Sequence, residues 1–339
     1  MRNLLTDIPG IAVGHVTDLA LGSGTTAVLF DTQTVASGII LGGAPGSRDT
    51  ALLAPEMRSD GVHAFVFSGG SAYGLDAAGG VQAALREQGR GLDIRGALVA
   101  VVAQAIIFDL LNGGDKDWGV FSPYRQQGYD AARAASHGAF ALGTVGAGTG
   151  ATTATVKGGV GSASAVAQSG HLVAALAVVN AVGAPTIGDG PHFWAAPFEI
   201  GKEFGGRGWP ARIGDAELRP RLKGTPTPAN ATTVALIATD AVLSKGQAKR
   251  LAIMANDGLA RAIFPAHAPT DGDTVFAAAT GRKPMADQDR DLAEIGLAAT
   301  MVMARAIARG CYEATALPYA QALAAWRDRF GQAGEFSPL

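Results

Sequence analysis

Asn230-Ala231-Thr232-Thr233-Val234-Ala235-Leu236-Ile237-Ala238-Thr239-Asp240 follows a loop, Gly224-Thr225-Pro226-Thr227-Pro228-Ala229, whose glycine and two prolines stop a helix and a central strand alike. From Thr232 onward the chain is β-branched and apolar, the pattern of a buried strand. A threonine that opens a core strand has an ordinary explanation, because Thr favours strands and its hydroxyl caps turns. It also has a chemical one. Cleavage of the Ala231–Thr232 bond would set a hydroxyl nucleophile beside its own free α-amine, nucleophile and base in one residue.

Outward from this stretch the chain alternates strands and helices. Residues 171 to 180 form an apolar strand that ends on Asn180, before Gly183. Downstream, a helix over 244–263 starts at Ser244, with Leu251, Ala255, Leu259 and Ile263 on its apolar face. Asp271-Gly272-Asp273 makes a turn into a strand over 274–280, and helices over 287–309 and 317–330 follow. Upstream, residues 25–43 predict two strands hinged near Asp31, then a turn-rich loop carrying Arg48. A strand from His63 to Gly70 leads through Tyr73 into a helix over 74–88 with small residues on its packed face. Residues 97–108 form an apolar run ending at Phe108-Asp109, and 124–137 a helix stopped by Gly138. The expected organisation is α/β, a single domain over 1–339, with 187–223 an irregular excursion.

The 339 residues are 48% hydrophobic and 17% charged, with a net charge of −2. That composition suits a well-buried core and gives no reason to expect nucleic acid or an anionic membrane as partner. Cys311, the single cysteine, reads as a small core or surface residue rather than a nucleophile. The N-terminus lacks the apolar core of a signal peptide, and the longest apolar run, 97–111, is short for a membrane span and holds Gln104 and Asp109. A cytoplasmic location is expected, which leaves the glycosylation sequon Asn230-Ala231-Thr232 without meaning. The glycine-rich segment 146–159 lacks the following helix and acid of a dinucleotide fingerprint, so no nucleotide cofactor is expected. No metal site is expected either.

Thr232-Thr233 with its strand, Pro45-Gly46-Ser47-Arg48-Asp49-Thr50, Gly69-Gly70-Ser71-Ala72-Tyr73-Gly74-Leu75, Val179-Asn180-Ala181-Val182-Gly183 and Asp271-Gly272-Asp273-Thr274 occur in this order along nearly the whole chain. In that order they resemble the self-cleaving P1 (S58) peptidase family. Its members are the L-aminopeptidase/D-alanyl-esterases, β-peptidyl aminopeptidases and endo-type nylon-oligomer (6-aminohexanoate) hydrolases. The resemblance implies an αββα sandwich like that of N-terminal-nucleophile hydrolases. It implies processing into a large fragment 1–231 and a small fragment 232–339, a small amide or peptide substrate, and a homo-oligomer, a tetramer. One departure stands out. The nylon hydrolases usually carry Asn directly before the nucleophile, where this chain has Ala231.

The resemblance also assigns roles. Thr232 is the nucleophile. Asn180 is the oxyanion donor, against its plain reading as a turn-forming Asn. Lys157 either stabilises charge near the nucleophile or holds the Thr232 hydroxyl, against a surface lysine. Asp271 and Asp273 orient the Thr232 ammonium, against a common Asp-Gly-Asp turn. Tyr73, Phe108 and Arg48 are candidate substrate contacts; some relatives carry Tyr where Phe108 stands. An acyltransferase of the ornithine acetyltransferase type, which also cleaves itself before a Thr, is the alternative. This chain lacks the Gly-Met-Ile-x-Pro that usually precedes that residue. An intact, non-enzymatic binding protein is the third possibility.

Overall fold

The computed structural model describes residues 1–224 and 231–331. The proline-bearing loop before the Ala231–Thr232 bond, residues 225–230, lies outside them. The strands in chain order are β1 (Ile11–Asp18), β2 (Ser23–Ile40), β3 (Ser47–Arg48), β4 (Gly61–Ser68), β5 (Leu92–Ile94), β6 (Ala97–Val99), β7 (Val102–Ile106), β8 (Val160–Val166), β9 (Leu172–Asn180), β10 (Thr232–Ala241) and β11 (Thr274–Lys283). The helices are α1 (Ala77–Glu87), α2 (Tyr124–Arg133), α3 (Asp215–Leu218), α4 (Lys245–Ala260), α5 (Gln288–Tyr312) and α6 (Trp326–Phe330).

Hydrogen bonding runs β3-β7-β4-β2-β11-β10-β9-β8, with β1 also on β2 and β5-β6 a separate hairpin. The hinge of this path is β2. Its first half, Thr25 to Leu29, pairs with β4; its second half, Val35 to Ile40, pairs with β11, and the register with β4 slips between Leu29 and Thr34. The sheet therefore folds into two leaves that share one strand. Phe30, Phe65 and Phe67 of one leaf meet Leu176, Val234, Leu236 and Phe276 of the other in a common core, and Phe65 stacks on Phe276 at 4.5 Å. Helices α4 and α5 cover the outer face of the second leaf through Ala235, Ile237 and Val275. Helices α1 and α2 cover the first leaf through Ala27, Leu29 and Val66. The layers are helix, sheet, sheet, helix. The αββα architecture is present.

The local causes can be read from the chain. Every residue of β10 is buried, as its apolar and β-branched run requires of a strand covered on both faces. Ser244 and Asp287 cap α4 and α5, their side chains accepting from Gln247 and Arg290 N–H. Helix α5 lies so close to β8 that a Cβ on Gly161 would stand 1.8 Å from the Ala306 carbonyl oxygen. Only glycine fits there.

Several expected boundaries are corrected. The two strands of 25–43 are one bent strand. The run 97–108 breaks into β6 and β7. Helix α2 ends at Arg133, because Ser136 exchanges backbone hydrogen bonds with Val13 of β1 and pulls the chain straight. His137 is therefore beyond the helix, its Nδ1 at the Ile11 carbonyl. Strand β11 continues past Thr280 to Lys283. The helix expected over 317–330 is only α6. Its earlier part stays irregular, with the Ala324 carbonyl accepting from Lys157 N–H and Leu317 and Leu323 lining a cavity. No helix is long and apolar enough to cross a membrane among the described residues.

Candidate active site

Thr232 opens β10, and its Cα partner across the antiparallel ladder is Asn180, the last residue of β9. Side chains alternate along a strand. Val234 and Leu236 share the face of Thr232, Leu176 and Val178 that of Asn180, and all four fill the core between the leaves. Both functional side chains thus point into the same seam. The Thr232 hydroxyl donates to the carbonyl oxygen of Ala231, and the Gly272 N–H donates to that oxygen at 3.1 Å. A Cβ on Gly272 would lie 2.6 Å from Thr232 Oγ1. The absence of a side chain at 272 leaves the seat that the hydroxyl occupies.

Asp271 and Asp273 flank Gly272, and both are buried. Asp271 accepts two long backbone bonds, from Val182 N–H at 3.3 Å and Gly272 N–H at 3.2 Å. Burial, and then the neighbouring Asp273, hold its carboxyl well above the usual carboxylate range. Asp273 is better served. Its Oδ1 accepts from Thr233 N–H at 2.9 Å, and its Oδ2 from both the backbone N–H and Nδ1 of His267, at 3.0 and 2.8 Å.

On the other side, Asn180 is bound at both ends of its amide. Oδ1 accepts from Thr152 N–H at 3.0 Å and from Lys223 Nζ at 2.8 Å, while Nδ2 donates to the Phe108 carbonyl at 3.1 Å. One Nδ2 hydrogen remains for another acceptor. Lys157 Nζ donates to the Gly148 and Gly158 carbonyls at 3.0 and 2.8 Å. Burial lowers its ammonium to about 7. Burial likewise lowers Lys223 to about 8, against the pull of Asp271 and Asp109.

Lys157 and Lys223 open onto a cavity of about 530 Å³, with Phe108, Leu111, Leu317 and Leu323 as apolar walls and Asp109 as its acid. Asp109 accepts from Ser23 Oγ and Gly70 N–H, both at 2.7 Å, and burial pushes its carboxyl up. Of the expected substrate contacts, Phe108 lines this cavity and the other two do not. Tyr73 is exposed and meets Trp118 edge-on at 5.6 Å. Arg48 is held by the Leu75 carbonyl and Gln82. Burial pushes the Cys311 thiol up to about 12, far from nucleophilic use.

Thr232, Asn180 and the acid pair come together, with Lys157 at the cavity behind Asn180. Sequence reasoning missed Gly272, Lys223, Asp109 and His267. Asp109 interrupts an apolar run, which marked it, though only as a strand end. His267, alone between Pro265 and Pro269, and Lys223 carry no periodic signal, since each acts on a residue brought to it by folding.

The profile of the family described as Peptidase family S58 matches residues 3–323. An "uncharacterized aminopeptidase" of Mycobacterium tuberculosis is 42% identical over 332 residues, covering 92% of this chain and 94% of its own length. A counterpart from Mycobacterium leprae is 40% identical over 330 residues, covering 90% and 89%. Among solved structures, a Burkholderia β-aminopeptidase superposes with a TM-score of 0.70 at 21% identity, over 97% of this chain and 92% of its own. The L-aminopeptidase D-Ala-esterase/amidase of Ochrobactrum anthropi, described as a serine aminopeptidase and a new variant among the Ntn hydrolase fold, gives 0.68 at 20%, over 97% and 92%. At such identities these two show the fold, which is that of N-terminal-nucleophile hydrolases.

Proposed function

Because the chain belongs to peptidase family S58 and is therefore a hydrolase of peptide bonds, we propose that it is an aminopeptidase that cuts itself between Ala231 and Thr232 and works through the new N-terminal threonine. The observation that carries this is the Ala231 carbonyl, held by Gly272 N–H and touched by the Thr232 hydroxyl. In processing, Thr232 Oγ attacks the Ala231 carbonyl carbon and the Thr232 nitrogen leaves, converting the peptide bond into an ester. Water then opens the ester, giving a carboxylate on Ala231 and a free amine on Thr232. In turnover that amine takes the Oγ proton as the hydroxyl attacks the substrate amide, and the proton passes to the departing amine. Water hydrolyses the acyl-threonine. An α-amine titrates near about 7.7–8.0, so a useful fraction is free base at neutral pH.

Asn180 supplies the oxyanion donor, with its free Nδ2 hydrogen. Asp271 and Asp273 hold the Thr232 ammonium, and Lys157 offsets developing negative charge. Phe108 gives an apolar wall to the acyl pocket. The relatives' names favour substrates with a free amine near the scissile amide. Two measurements test this. Intact-mass analysis should find a fragment beginning at Thr232, and another new N-terminus would refute the assignment. A hydrolysis panel of α-, β-, D- and ω-aminoacyl amides, 6-aminohexanoate oligomers included, should show at least one substrate turned over by the cut protein and none by uncut protein. A homo-oligomer, a tetramer built on two-fold contacts, belongs to the same proposal. Light scattering at micromolar concentration should give several times the mass of one chain, and a monomer mass would refute that part.

A further inference from the structure

His267 lies in the segment between α4 and β11, with a backbone φ of +58°, a sparsely populated conformation for a residue with a side chain. Such backbone persists only where the surroundings hold it. Here both ring nitrogens are held. Asn256, on α4, donates from Nδ2 to His267 Nε2 at 3.1 Å. An amide NH2 only donates, so Nε2 accepts and the ring hydrogen sits on Nδ1. That hydrogen goes to Asp273 Oδ2, which also takes the His267 backbone N–H. With Thr233 N–H on Oδ1, both oxygens of Asp273 are acceptors.

We propose that His267, oriented by Asn256, is a positioning residue that keeps Asp273 the acceptor-only member of the acid pair, so that the pair's proton resides on Asp271 beside Gly272 and the nucleophile. This rests on the N-terminal threonine mechanism above. Three titratable groups face the pair: His267, Lys223 and, after cleavage, the Thr232 amine. From α4 the group that meets His267 is the neutral Asn256.

Two variants separate positioning from mere bracing of the turn. Asparagine tolerates positive φ and puts an NH2 where Nδ1–H stands; glutamine reaches instead to the place of Nε2 and leaves Oδ2 without its side-chain donor. At equal processed fraction, His267→Asn should stay near wild-type kcat. His267→Gln should lose about ten- to a hundred-fold in kcat with KM little changed. Loosening the negative charge held beside the Thr232 ammonium favours the free amine, so the acid limb of the His267→Gln rate profile, which reports that amine, should move to lower pH. Equal behaviour of the two variants, or an unmoved acid limb, would overturn the proposal. Nitrogen-15 NMR of histidine-labelled protein, with the His267 signals identified by their loss in His267→Asn, should show Nδ1 protonated and Nε2 bare. The reverse tautomer would overturn it independently of activity. The proposed function fails separately, through a wild-type chain that stays whole or is cut elsewhere.

Discussion

Thr232→Ala yields one chain that stays whole on prolonged incubation, and its hydrolysis falls by about a million-fold, the scale seen when a covalent nucleophile is removed. Two losses compound. Without Oγ the Ala231 carbonyl is never attacked, so no α-amine is released, and without either group turnover has neither nucleophile nor base. Stability should change little, because the residue is small and its neighbours Val234 and Leu236 keep their packing. Thr232→Ser sharpens the result. It retains a hydroxyl in the space left by Gly272, so cleavage should persist at the same bond. A processed Thr232→Ala protein, or one that hydrolyses at a tenth of the wild-type rate, would remove Thr232 from the mechanism.

Replacing Asn180 has the next largest effect, about 100- to 1000-fold in kcat with KM little changed, because the lost donor acts where charge develops in the transition state. Asn180→Ala also strips an acceptor from the Lys223 ammonium and Thr152 N–H, and an unpaired buried ammonium is destabilising. Asn180→Asp removes that ambiguity. It keeps an oxygen for Lys223 and Thr152, and sets a charged acceptor in place of the NH2 that donates to Phe108 and, in the proposed mechanism, to the oxyanion. Both variants should therefore lose similar activity while Asn180→Asp keeps the higher melting temperature. Wild-type kcat in Asn180→Asp would place the oxyanion elsewhere.

What was legible in the sequence follows from where the physics is local. The β10 run was legible because a strand buried on both faces needs a long run of apolar and β-branched residues, here unbroken from Thr232 to Thr239. Helices α4 and α5 were legible through their apolar faces, and Ser244 marked the first. The bend of β2 was legible as a hinge near Asp31, but not that one strand runs through it and changes partner there. Nor was the fate of 317–325. Leu317 and Leu323, expected within a helix, serve a cavity wall instead. The residues of the site supplied a strand start, a strand end and a turn. Their meeting depends on register, Thr232 opposite Asn180, which no local pattern encodes and which the family resemblance alone suggested. His267 and Lys223 had no such help.

The strand order makes the proposed cut topologically mild and kinetically consequential. The small fragment's β10 and β11 lie between β9 and β2, which belong to the large fragment. Five large side chains on these two strands, Val234, Leu236, Ile237, Val275 and Phe276, are fully buried, worth on the order of 10 kcal/mol together. A nicked molecule would therefore stay together under native conditions. After denaturation, however, the two pieces must find each other before the middle of the sheet can form. Processing thus turns a unimolecular fold into a second-order assembly, whose recovery depends on dilution. An uncut chain would refold alone; a cut one would need its other fragment.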